Sequence, residues 1–320
     1  MGTPLQQKNF SRIGVAVTEL GVGGYIGDLT DASATDTARQ DAAIAAVQRA
    51  IHLGVSYFDT SPAYGTAERY LGAALATLST DVRSQLTVST KVGTHPERQN
   101  AYGAADVHWC FARSRHLLGR IDMVYVHDPV TDVHMDAILA PGGAFEALEQ
   151  LQAAGEIRGF GLGVRRHRFL LQAIESGRVD VILPSYDYHP IRQSLGPVLD
   201  AAAAAGVAVV NGSPYQAGLL AGIDLHEAAK RRPPNDADLA RAHAIVAWCA
   251  QRQIDVGALA VQFSLRDKRI GATLVGPRTV DEVESGLRHA TEPIPAGIWD
   301  ELGDFLAHLQ PAAAPGGEQP

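Results

Sequence analysis

The feature that most restricts the fold of this chain is a repeat. Short apolar runs, each followed by a segment of helical period, recur about eight times along it. The runs cover residues 19–27, 55–60, 86–92, 121–127, 157–164, 179–184, 207–212 and 271–275. They are near-continuous rather than alternating, as strands covered on both faces must be, so they read as parallel strands. The helical segments cover 36–53, 67–78, 104–118, 143–153, 168–176, 195–205, a longer region 236–266, and 280–289. Each unit has room for a strand, a crossover helix and two loops, and no linker interrupts the series. The expected architecture is α/β, a single-domain (β/α)8 TIM barrel over residues 1–310, with an open doubly wound sheet as the alternative.

Two segments lie outside the repeat. Residues 7–17 carry weak alternation and turn signals, which predicts a short hairpin capping the barrel bottom. Residues 296–309 predict one extra amphipathic helix, and the Pro-, Ala- and Gly-rich tail 311–320 predicts disorder. A chain of 320 residues buries roughly three-quarters of its unfolded surface, so it needs no disulfide or metal staple. Its two cysteines, Cys110 and Cys249, sit in helical patterns without a CxxC and read as buried thiols of a reducing compartment. No signal-peptide or myristoylation pattern opens the chain, and no apolar run approaches the ~18 residues that span a bilayer. A cytoplasmic protein is expected.

The net charge of −8, from 27 basic and 35 acidic residues, comes without a basic stripe, so nucleic acid is not an expected partner. The clusters Arg165-Arg166-His167-Arg168 and Lys230-Arg231-Arg232 are short and read as solvated faces. His95, His108 and His116 form no catalytic-zinc pattern, so no metal is expected. Nothing in the sequence speaks to the oligomeric state.

Barrel enzymes place their chemistry at the C-terminal ends of the strands. The second run ends in Phe58-Asp59-Thr60, with Tyr64 in its loop; the third ends in Ser89-Thr90-Lys91; the fourth ends in Val126-His127-Asp128. A carboxylate, a phenol, an ammonium and an imidazole thus reach one rim from neighbouring strands. A free phenol titrates near ~10, too high for easy proton transfer at neutral pH. An ammonium beside it lowers that value, a carboxylate keeps the ammonium charged and aimed, and an imidazole orients a substrate oxygen. Taken singly, Asp59 reads as a turn cap, Tyr64 as a surface aromatic, Lys91 as a strand-end charge and His127 as a core histidine. Together on three consecutive strands they read as a tuned acid–base site.

These same residues carry a family resemblance. The run GVSYFDTSPAYG (54–65), then Ala67-Glu68 and Leu71-Gly72, resembles the first signature of the aldo-keto reductases. Ser89-Thr90-Lys91-Val92-Gly93 resembles the lysine strand, DMVYVH (122–127) the histidine strand, and GEIRGFG (155–161) the strand-five signature. The resemblance runs from about residue 20 to 287. It implies a (β/α)8 barrel, an extended nicotinamide dinucleotide, and Asp59, Tyr64, Lys91 and His127 as the catalytic residues with Tyr64 as general acid or base.

The cofactor positions follow from the same resemblance. It implies contacts from Gly24, Asp59, Gly163, Ser213, Pro214, Tyr215, Gly276, Arg278, Thr279 and Glu282. Loops after strands seven and eight, with a helix N-terminus, are where a barrel holds phosphate, and Arg278 is placed to pair with one. Glu282 stands where NADPH-using relatives carry an arginine; a carboxylate there suits a free 2′-hydroxyl, which favours NAD over NADP. As an alternative, Glu282 is a first-turn helix carboxylate. The glycines of GFGLGV (159–164) lie within a strand pattern and lack the third glycine of a Rossmann loop, so they are read as letting the nicotinamide approach the barrel floor.

The chain departs from the family pattern in two places. Gly163-Val164 replaces the usual Ser-Asn, and Gly212 falls where many reductases carry a stacking tyrosine, leaving Tyr215 or Tyr188 as substitutes. Gly163 with His127-Asp128-Pro129 is similar to the branch that oxidises sugars such as L-fucose or L-galactose, or pyridoxal, to lactones. The expected reaction is therefore NAD-linked oxidation of an aldose-like cyclic hemiacetal, with Tyr25, His95 and Tyr188 lining the substrate pocket. An NADPH-dependent aldehyde or ketone reductase is one alternative. A cofactor-sensing regulatory subunit without turnover is another.

Overall fold

The computed structural model describes residues 4–27, 33–231 and 233–309, so the tail at 311–320 lies outside the described residues. Eight parallel strands close into one barrel: β1 Leu20–Val22, β2 Tyr57–Asp59, β3 Thr87–Val92, β4 Met123–His127, β5 Gly159–Gly163, β6 Val181–Ile182, β7 Ala208–Gly212 and β8 Ala272–Val275. They follow chain order around the barrel, with β8 pairing back onto β1, which excludes the open sheet. The paired segments are shorter than the apolar runs because the ends of each run leave the ladder to form rim and floor.

The surrounding helices bury apolar faces against the barrel. In the helix His167–Glu175, for example, Phe169, Leu170, Ala173 and Ile174 are buried at the spacing of one helical face. The long region expected at 236–266 is two helices, Asp236–Gln251 and Val256–Leu265. Asp255 makes the break, accepting hydrogen bonds from the N–H groups of Gly257 and Ala258 as an N-cap. Two elements near the rim were not expected: a small hairpin, Thr94–His95 with Arg98–Gln99, after β3, and the helix Asp132–Leu139 after β4. The extra C-terminal helix is Gly297–His308, whose Phe305 stacks on Trp248.

The N-terminal hairpin, Gln7–Phe10 with Val15–Thr18, closes the bottom of the barrel. Phe10, Val15 and Val17 join the inward side chains of Tyr57, Met123, Tyr125, Val181, Val210 and Leu274 in one buried cluster. Two glycines of β5 serve this floor rather than a cofactor. A Cβ on Gly159 would meet Ile13 of the hairpin at 2.6 Å, and one on Gly161 would strike the Val181 carbonyl. Only Gly163 of that strand reaches the rim.

Candidate active site

Side chains alternate along a strand, so residues 57 and 59 of β2, 89 and 91 of β3, and 125 and 127 of β4 face the barrel interior. Asp59, Lys91 and His127 form the upper layer of that interior. Lys91 Nζ donates to Asp59 Oδ2 at 2.5 Å and to the Thr60 carbonyl at 2.8 Å. The pair is buried, with side-chain exposures of 1% and 4%. The same ammonium lies 4.8 Å from the centroid of the Tyr64 ring. Tyr64 in turn meets His127 edge-on, with ring centroids 5.8 Å apart. The four expected residues are brought together.

The electrostatics differ from the expectation in one respect. The Tyr64 phenol is held well above its ordinary range, first by burial and then by the charges of Asp59 and Asp128. Lys91 does not reverse this, because its charge is matched by Asp59 at contact distance. Tyr64 is therefore a protonated phenol at ordinary pH. Burial, with the Lys91 charge second, pushes His127 down to about 3, so its imidazole is neutral at ordinary pH. Thr94, absent from the sequence expectations, touches His127 Nδ1 at 2.6 Å. Asp128 Oδ2 lies 3.6 Å from His127 Nε2. A carboxylate on that side favours the proton on Nε2, so Thr94 donates to Nδ1 and Nε2–H is offered to a ligand oxygen.

Much of the opposite half of the rim is glycine. β5 ends in Gly163 and β7 in Gly212, and Gly23, Gly24 and Gly276 follow β1 and β8. A Cβ on Gly212 would come within 3.2 Å of Ser185, and one on Gly276 within 3.4 Å of the Gly23 carbonyl. Arg278 and Thr279 then lead into the helix Val280–Thr291, with Thr279 accepting from Glu282 N as its N-cap. Bare backbone beside a charged cluster, ending at a helix N-terminus with an arginine, fits a flat ring joined to a diphosphate. Ser213 and Pro214 lie on this path. Glu282 is already engaged: its carboxylate accepts from Arg278 N at 2.7 Å.

Backbone strain is concentrated on the same rim. Asp128, Tyr186, Ser213, Gln216 and Ala217 all have positive φ, and they follow β4, β6 and β7. Tyr186 has a φ of 65°. Tyr186 lies close enough to Tyr64 to oppose its ionisation, and its N–H reaches the Gly212 carbonyl at 3.4 Å. Tyr188, expected at the pocket, instead bonds Asp267 and packs on Phe263. Tyr215 is turned behind its loop onto His289, at 2.8 Å. His95 is likewise directed elsewhere, onto Trp109, while its neighbour Thr94 faces His127. Tyr25 is at the rim, 47% exposed, its ring centroid 4.8 Å from that of Tyr64. The left-handed turn at Tyr186 has no sequence signal in a non-glycine residue.

The model of the aldo/keto reductase family matches residues 19–305. The chain belongs to the aldo/keto reductase family. It is 31% identical to a D-threo-aldose 1-dehydrogenase from a Pseudomonas species, covering 91% of this chain and 94% of that protein. It is 32% identical to an L-galactose dehydrogenase of Arabidopsis thaliana, with 85% of each covered. A pyridoxal 4-dehydrogenase from Microbacterium luteolum is 28% identical over 93% of this chain and 96% of that one. The solved structure of a glycerol dehydrogenase from Gluconobacter oxydans shares the fold, with a TM-score of 0.74 at 19% identity over 95% and 96% of the two chains. This aldo/keto reductase is an NAD(P)-dependent oxidoreductase acting on a small molecule. Among its described residues no helix is long and apolar enough to cross a membrane.

Proposed function

We propose that this aldo/keto reductase oxidises an aldose or a similar cyclic hemiacetal to its lactone, using NAD, with Tyr64 as the general acid/base. The observation that carries the reading is the division of the rim into a charged half, Asp59, Tyr64, Lys91 and His127, and a glycine-rich half ending at Arg278. A bound nicotinamide would supply the acceptor for the hydride leaving the substrate's hydroxyl-bearing carbon. His127 Nε2–H and Tyr64 Oη hold the substrate oxygen between them; Tyr64 first gives up its own proton to solvent, and the phenolate then takes the proton of the substrate hydroxyl. Lys91, 4.8 Å from the Tyr64 ring, is the fixed positive charge beside the phenolate that must form before that transfer. Gly24, Gly163, Ser213, Pro214, Gly276, Arg278 and Thr279 would hold the dinucleotide, with Asp59 at its reactive end. Tyr215 would contribute backbone alone, since its ring is committed to His289.

Two features support a hydroxylated substrate. The named relatives act on sugars or on pyridoxal. Asp128, its side chain 57% exposed, presents a carboxylate beside His127 that accepts hydrogen bonds from hydroxyls and repels anionic substrates. NAD is favoured because the exposed Glu282 carboxylate would repel a 2′-phosphate. A second reading has its own observation: a protonated Tyr64 is already an acid, which suits reduction of an aldehyde or ketone with NADPH.

A panel of aldoses and aldehydes, followed at the NADH absorbance with both cofactors, tests the choice. Lactone formation from an aldose with NAD is expected. Turnover confined to NADPH and simple aldehydes would instead establish the second reading. Tyr64→Phe should lower turnover by about 10²–10⁴-fold while cofactor still quenches tryptophan fluorescence; near-normal turnover would remove Tyr64 from the mechanism.

A further inference from the structure

One layer beneath Asp59, Lys91 and His127, the residue two positions upstream on each strand carries a hydroxyl: Tyr57 on β2, Ser89 on β3 and Tyr125 on β4. All are fully buried. Ser89 Oγ donates to Asp59 Oδ1 at 2.6 Å. Tyr57 OH lies 3.0 Å from Ser89 Oγ and 3.0 Å from Tyr125 OH. The direction of this chain follows from its end. Asp59, the anion of the pair with Lys91, only accepts, so the Ser89 proton points to it. Ser89 oxygen then accepts from Tyr57, and Tyr57 oxygen accepts from Tyr125. Three donors are thus aligned toward one carboxylate, each polarising the next in a water-free interior.

We propose that Ser89, backed by Tyr57 and Tyr125, is a positioning residue for the acid–base step. By occupying Oδ1 it leaves Oδ2 to Lys91 and draws charge off the carboxylate that opposes Tyr64 ionisation. The chain touches neither substrate nor cofactor; it acts through Asp59, and it rests on the reading of Tyr64 as the acid/base. The register accounts for the geometry. Asp59 pairs with Ser89 across β2 and β3, and Lys91 with Tyr125 across β3 and β4, so the register sets Ser89 and Tyr125 each opposite a charged residue of the preceding strand.

The test is the pH profile of kcat for hydroxyl oxidation by the full chain with its cofactor. In Ser89→Ala, Asp59 keeps its full charge beside Tyr64, so the rising limb moves to higher pH. A shift of about one unit is expected, seen as a roughly tenfold slower rate at a fixed pH below the limb. KM should hold, and Ser89→Thr should restore the wild-type profile. Tyr125→Phe keeps the volume and removes only the far donor, so its shift has the same sign and is smaller. Tyr64→Phe is run alongside. If it retains turnover, the reading of Tyr64 fails. If it is inactive but the Ser89→Ala and Tyr125→Phe profiles overlay the wild type, with only thermal stability altered, the positioning role is overturned on its own.

Discussion

Replacing Lys91 by methionine should cost this protein both its activity and a measurable part of its stability. Methionine fills much of the space of the lysine stem, so the cavity left behind is small. What is lost is the partner of a buried carboxylate. Asp59 keeps its bond from Ser89, at 2.6 Å, but no cation remains within contact of Oδ2. Removing one member of a buried ion pair costs about 3–5 kcal/mol, because the other is left as an uncompensated charge in a low-dielectric site. For a chain of this length that lowers Tm by about 4–7 °C. Urea unfolding followed by circular dichroism measures the loss. The double substitution Asp59→Asn with Lys91→Met removes both charges, and its cycle should recover at least half of it while turnover stays absent. A Lys91→Met protein within about 1 kcal/mol of the wild type would refute the buried-pair reasoning, whatever its activity.

Three further outcomes follow from the same geometry. Thr94→Val removes the donor to His127 Nδ1; kcat should fall about tenfold, while Thr94→Ser stays near wild type, and equal rates for both would deny the contact a role. Glu282→Arg should move the NAD-to-NADP ratio of kcat/KM toward NADP by about tenfold; an unchanged ratio would leave Glu282 only as the cap on Arg278 N. Acid should unfold the protein through its buried histidines. His127 and His189 are depressed to about 3 and about 4, so between about pH 6.5 and 4.5 the unfolded chain takes up protons that the folded chain refuses. Stability is then lost as pH falls, by about 2.7 kcal/mol per unit from the two together. His127→Gln should halve that slope, and a flat stability over this range would contradict the assignment.

The barrel was legible because a parallel strand buried on both faces has to be apolar throughout, and eight such runs announce themselves. The positions of Asp59, Lys91 and His127 were legible for a related reason: a charge at the end of an apolar run has only the rim to occupy. The substrate side was not. Tyr188 was expected at the pocket, but it follows the left-handed backbone at Tyr186 and bonds Asp267 instead. Thr94 and His95 are neighbours in an unforeseen hairpin, and only the fold decides which of them meets His127. The charge state of Tyr64 also escaped the sequence. Proximity to an ammonium predicts a lowered phenol, but burial and the tight match of Lys91 to Asp59 set the opposite direction. Burial is a property of the assembled barrel and leaves no mark on residue spacing.

The hairpin at the base has a consequence for traffic. With Phe10, Val15 and Val17 plugging the lower end, the barrel is a blind tube with one door, and the reacting groups sit just inside it. Whatever occupies the inner position must arrive before, and depart after, whatever lies above it. Such a queue makes the outer ligand the one free to exchange while the inner one stays. Protons leaving the site have the same single exit, so the groups at the doorway, Asp128 among them, govern departure as well as entry.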